Sequence, residues 1–166
     1  MSDHRLEPGT VLRGSLNAAG VRVAVAVTRW NEFITERLLA GALDCLAMCG
    51  GDVAASTVAW CPGAFELPTV VDRLARSGRF DAVVVLGAVI RGATPHFDYV
   101  AGAASNGIAS IALATGVPCT NGVLTVDTIE QAIERAGTKA GNKGWEAMQA
   151  AIETATLLRS IEGSAG

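Results

Sequence analysis

The chain has 166 residues, enough for one domain with a sizeable core and too few for two independent ones. Half of the residues are hydrophobic and only 17% are charged, against about 25% in an average domain, so the composition favours a protein that buries surface in an oligomer. The 13 basic and 16 acidic residues leave a net charge of −3 without any basic cluster, which argues against nucleic acid and anionic membranes as partners, and the longest apolar run, residues 82–90, has about half the length of a bilayer span.

The opening MSDHRLEPGTVLRG has neither the apolar core of a secretory signal nor the Arg-rich, acid-poor character of a transit sequence, so the chain is expected in the cytoplasm. Residues 10–16 carry no helix signal and are read as an additional N-terminal edge strand, in this chain or against a neighbouring subunit. Residues 21–28, VRVAVAVT, are β-branched and almost wholly apolar, as a strand covered on both faces requires. Asn31 is read as an N-cap, and Ile34, Leu38, Ala42 and Leu46 recur every four residues up to the Gly50-Gly51 stop, which predicts an amphipathic helix.

A second strand is expected over residues 53–60, then the turn Cys61-Pro62-Gly63 and a helix from about Phe65 to Ser77 that Gly78 ends. Residues 81–90 supply a third strand. Arg91-Gly92-Ala93 then connects tightly to a helix with Thr94 as N-cap and Pro95 at its first position, running to about Thr115. Residues 117–125 form a fourth strand, and Thr128 with Gln131 makes a capping box for a short helix that ends at Gly137. Gly141 and Gly144 flank a linker, and from Lys143 to about Ile161 the set Trp145, Met148, Ile152, Ala155 and Leu158 keeps the spacing of a closing helix. Strands alternating with helices predict a single domain: a three-layer α/β/α sandwich around a central four-stranded parallel sheet. The four cysteines form no CxxC pair and, with only His4 and His96 beside them, no recognisable metal set; they are read as reduced core thiols.

In an open α/β sheet the ligand crevice lies beyond the carboxyl ends of the strands, here residues 28–31, 60–66, 88–96 and 121–125. The turn from Arg91 to His96 aims free backbone N–H groups and a positive helix end into that crevice, a place for an anion, although most glycine-containing turns of this kind are plain connections. His96 is a candidate acid–base group, with a capping or surface histidine as the blander alternative. Trp30 could lie beside a planar heterocycle or serve as core or lid. Glu66 could bind hydroxyls or compensate a helix dipole. Arg135 and Lys143, taken alone, suit a helix C-terminus and a solvated linker.

Five ordered segments carry a resemblance: TRWNEFIT from Thr28, PGAFELP from Pro62, GAVIRGATPHFDYV from Gly87, NGVLTVDTIEQAIERAG from Asn121 and GTKAGNKG from Gly137. Together they resemble the lumazine synthase family of riboflavin biosynthesis over nearly the whole domain, from about Val21 to Ile161. The resemblance implies a flavodoxin-like fold and a condensation of 5-amino-6-(D-ribitylamino)uracil with 3,4-dihydroxy-2-butanone 4-phosphate to 6,7-dimethyl-8-ribityllumazine, the penultimate step of the pathway, without metal or organic cofactor. It implies Trp30 as the ring that stacks on the pyrimidine, and Ala64, Phe65, Glu66, Ala88, Val89 and Ile90 as ribityl and ring contacts. Ala93, Thr94 and Arg135 then hold the phosphate, Lys143 contacts the pyrimidine, and His96 transfers protons. Asn121 departs from the aromatic residue that many members carry at that position, contributed across a subunit interface. The family further implies a cyclic pentamer with interfacial sites. The compact GTKAGNKG turn is similar to that of members forming shells of twelve pentamers, with riboflavin synthase as a candidate partner. Two readings from other classes compete: a noncatalytic flavin or lumazine carrier or shell protein on the same fold, and an aldolase using Lys143 as a Schiff-base nucleophile.

Overall fold

A computed structural model describes residues 8–163. The elements follow in the order β1 Val23–Thr28, α1 Glu32–Met48, β2 Thr57–Cys61, α2 Leu67–Arg76, β3 Ala82–Ile90, α3 His96–Thr115, β4 Cys119–Val126, α4 Ile129–Glu134, β5 Ala136–Thr138, β6 Gly141–Asn142 and α5 Lys143–Gly163. Strands β2-β1-β3-β4 form one parallel sheet, with Val25 opposite Val84 and Ile90 opposite Val126. The interior strands β1 and β3 are the ones with unbroken apolar runs, because both of their faces are covered.

Period-two alternation divides the core into two layers. Val23, Val25 and Val27 pack with Leu38, Leu46, Met148 and Ile152 of α1 and α5. Ala24, Ala26, Val83 and Val85 pack with Leu67, Val71 and Ile108 of α2 and α3. The result is the three-layer, flavodoxin-like sandwich. Helix α5 sits so close to α1 that a Cβ on Gly144 would collide with the Leu38 carbonyl. Asn142, just ahead of it, accepts from the N–H groups of Gly144 and Trp145 and donates Nδ2 to Arg37 O at 2.9 Å. These contacts fix where α5 begins, and so the backbone of Lys143.

Several boundaries differ from the sequence reading, each for a local reason. Strand β2 starts at Thr57 because residues 52–56 turn: the Ser56 N–H and hydroxyl both donate to Val53 O, and Ala55 N donates to Asp52 Oδ1. Asn31 does precede α1 and its carbonyl accepts from Ile34 and Thr35, but its side chain does not cap. It adopts the left-handed conformation at φ 62°, which asparagine tolerates, and donates Nδ2 to Ala88 O at 2.9 Å. Helix α3 starts at His96 on an uncapped Pro95, so Thr94 is not its N-cap and His96 is the first helical residue. Thr128 does cap α4, while Gln131 reaches the Asp127 N–H rather than that of Thr128. The expected glycine linker is a small antiparallel hairpin, β5-β6.

Residues 10–16 form no strand within this chain. Their polar backbone groups turn to α5 instead: Ser15 N donates to Thr156 Oγ1 at 2.8 Å, and the same hydroxyl lies 2.9 Å from Ser15 O. The four cysteines are free, Cys45 and Cys61 buried and Cys49 and Cys119 half-buried. Burial pushes the Cys61 and Cys119 thiols up to about 11, so they stay protonated and inert at neutral pH.

At the opposite end from the strand C-termini, Asp81 joins three elements. It accepts from the Arg22 backbone and guanidinium and from Arg159 Nη2 at 2.9 Å. Partial burial opposes its charge, but these donors win and hold its carboxyl below the usual range. Asp81→Asn is expected to cost about 1 to 3 kcal/mol at neutral pH. A lowered carboxyl stabilises the fold above its unfolded pKa and loses that contribution as pH falls, so the gap between variant and wild type should close in acid. Urea titrations at neutral pH and near pH 3 check both parts.

Candidate active site

The strand order reverses between β1 and β3, since β1 leads to β2 on one side and β2 crosses back to β3 on the other. Helices leave on opposite faces there, which opens a crevice at the carboxyl ends. A cleft of about 390 Å³ occupies it, and the Asn31 side chain spans it from the β1–α1 corner to β3. Of the residues expected at a site, Trp30, Ala64, Phe65, Glu66, Ala88, Val89, Ile90, Thr94 and His96 line this cleft. Thr28, Asn31, Gly63, Gly92, Phe97 and Val100 also line it and were not singled out from sequence. Their signal was their place in the motifs around Trp30, Glu66 and His96; Asn31 was hidden by its expected role as a cap.

Trp30 and the Pro62-Gly63 turn are held together by their backbones. Arg29 N donates to Cys61 O at 2.8 Å and Trp30 N to Pro62 O at 3.0 Å. The Trp30 ring then lies on bare Gly63, where a Cβ would come within 2.5 Å of Cε3. Trp30 is 57% exposed and lines the cleft, so its ring is accessible to a planar ligand. Glu66 Oε2 accepts from Gly63 N at 3.1 Å, which ties the carboxylate to the same turn and leaves its other oxygen for a hydroxyl-bearing ligand. His96 stands exposed at the start of α3 and lines the same cleft, where the helix end and the Gly92–Thr94 backbone favour an anion. Ala93 lies between the lining residues Gly92 and Thr94 without lining the cleft itself.

Three expected residues are elsewhere in the chain. Arg135 and Lys143 line a second cavity of about 280 Å³, walled by Val123, Leu124, Thr125 and Val126 of β4, which shares no residue with the first. Lys143 Nζ lies 2.9 Å from Glu146 Oε2, and Arg135 Nη1 donates to Gln131 O at 3.2 Å. Lys143 is nearly half exposed and ion-paired, without the burial that activates a Schiff-base lysine. Asn121 lines neither cavity; it sits in the first half of β4, opposite Val85, where Oδ1 accepts from Val123 N at 3.0 Å. Among the described residues no group of three or more His, Cys, Asp and Glu is placed to hold a metal ion, and no helix is long and apolar enough to cross a membrane.

A parallel sheet whose order reverses beside such a cleft puts the chain among the flavodoxin-like α/β proteins that bind small molecules at the switch point. Residues 20–159 match the family model of 6,7-dimethyl-8-ribityllumazine synthase. The chain belongs to that family, and with it to riboflavin biosynthesis.

Proposed function

We propose that the protein catalyses the condensation of 5-amino-6-(D-ribitylamino)uracil with 3,4-dihydroxy-2-butanone 4-phosphate, releasing phosphate and water and forming 6,7-dimethyl-8-ribityllumazine. The observation that carries this reading is the convergence of Trp30, Glu66 and His96 on one cleft in a chain of this family. The pyrimidine stacks on Trp30, the ribityl chain runs past residues 64–66 and 88–90, and the phosphate takes the Ala93-Thr94 backbone at the start of α3. Amine and ketone react readily once aligned, so the site acts mainly by holding them together. His96 moves protons during imine formation, phosphate elimination and ring closure.

Arg135 and Lys143 belong to the same chemistry in this reading, Arg135 on the phosphate and Lys143 on the pyrimidine. Because they line a separate cavity of their own chain, the complete site joins the His96 cleft of one copy to the Arg135 cavity of its neighbour. The exposed apolar side chains of Phe33, Tyr99 and Leu113 support burial between copies. We take the assembly to be the cyclic pentamer that the family resemblance implies, in the cytoplasm and with shared sites, and extend it to a shell of twelve pentamers able to enclose riboflavin synthase. Electron microscopy of fresh protein distinguishes hollow spheres from isolated rings.

Mixing the purified protein with both substrates and following the lumazine chromophore tests the reaction itself. A rate no higher than the spontaneous one would leave a flavin or lumazine carrier on the same fold. Trp30→Ala is expected to raise the Michaelis constant for the pyrimidine about tenfold, since stacking of a base on an aromatic ring contributes about 1 to 3 kcal/mol. An unchanged constant in steady-state kinetics would move the ring away from Trp30.

A further inference from the structure

Helix α3 presents His96 at its first position, yet no side chain caps that end. An uncapped helix terminus frays unless something else restrains its first turn. The restraint here comes from Arg91, at the end of β3. Its Nε donates to Asp127 Oδ1 at 2.7 Å, its Nη1 lies 3.6 Å from Asp98 Oδ1, and its guanidinium carbon sits 4.2 Å from the centroid of the Phe97 ring. Phe97 and Asp98 are the two residues that follow His96. Phe97 in turn packs against the α2/α3 core layer and forms part of the cleft wall. The Arg91 backbone is itself fixed, its N–H donating to Val126 O at 2.9 Å. Arg91 does not line the cleft, although its neighbours Ile90 and Gly92 do.

We propose that Arg91 is a positioning residue for the reaction: it clamps the first turn of α3 to the β4–α4 corner and so sets where the His96 imidazole stands. This rests on the reaction proposed above and on His96 as its proton-transfer group. Both ion pairs are exposed, and an isolated surface ion pair contributes little to stability. A planar guanidinium that stacks on one ring while reaching two carboxylates does more for orientation than for stability, and only arginine combines the two. The role should therefore show in kcat and not in the melting temperature.

The test compares Arg91→Gln in the wild-type and His96→Ala backgrounds, using the assembled full-length protein and chromophore formation as the readout. In the wild-type background kcat should fall about ten- to a hundredfold, the range that a displaced catalytic group produces, with both Michaelis constants and the melting temperature nearly unchanged. In the His96→Ala background the same substitution should alter the rate less than about twofold, since residues acting through one group are not additive. Asp127→Asn, which removes the shorter carboxylate contact at a residue that does not line the cleft, should repeat the pattern more weakly and serves if Arg91→Gln folds poorly. Equal losses in both backgrounds overturn the proposal. So does a raised Michaelis constant for the phosphate substrate with kcat kept, which would make Arg91 a phosphate contact, and so does an unaltered rate for both variants. Wild-type protein that makes no lumazine overturns the reaction and this role together, whereas an active wild type with normal Arg91 and Asp127 variants overturns this role alone.

Discussion

His96→Ala should lower turnover by about ten- to a thousandfold while both substrates still bind. The loss is at the mild end for an acid–base group because much of the barrier is removed by alignment, and the spontaneous reaction supplies a floor. Single-turnover measurements separate the chemical step from binding. A variant that turned over at the wild-type rate across neutral pH would make His96 a surface residue at a helix start, which its exposure alone would also fit.

Arg135→Ala should weaken the phosphate substrate and inorganic phosphate in parallel, by about 2 to 5 kcal/mol, the usual consequence of truncating one partner of a charge pair that is buried, as this one becomes between copies in the proposed site. Affinity for the ribitylaminouracil should hardly change, and calorimetric titration of each ligand reads the two effects separately. Equal losses for both ligands would mean that Arg135 supports the α4 end of the fold, where it already bonds to Gln131 O. Combining the two variants adds a test of the shared site. Random co-assembly of His96→Ala and Arg135→Ala chains should restore about one intact site in four if each site draws on two adjacent copies, and none if every site lies within one chain.

The parts of the fold legible in the sequence are those governed by burial over many residues. Residues 82–90 read as a strand because a covered strand has no reason to alternate, and the four-residue recurrence from Ile34 to Leu46 reads as a helix because only one stripe meets the sheet. Short or bifunctional pieces were not legible. Strands of two and three residues, as in β5 and β6, are too brief to carry a period. Val53 looks like a strand residue until the Asp52 and Ser56 side chains are seen to hold a turn around it. Asn31 has the right chemistry for a cap, but instead of accepting from a helix N–H it donates Nδ2 to Ala88 O. The cleft was legible because in an open α/β sheet the crevice lies beyond the carboxyl ends of the strands, and those ends follow from where the apolar runs stop. Arg135 and Lys143 became site candidates only through the family motifs, since within one chain nothing brings them to the cleft.

The Asn31 amide also bears on how a ligand is received. Its bond to Ala88 O crosses the gap between β1 and β3, so that gap cannot widen without breaking a half-buried hydrogen bond. The floor of the cleft is thus set when the chain folds, and docking brings little reorganisation energy beyond the ordering of ligand and side chains. Adaptation is left to the exposed side chains of the cleft, Trp30 and Phe65 among them. Selection should accordingly be stricter for the part of a ligand that meets the β1–β3 floor than for the part that meets those side chains.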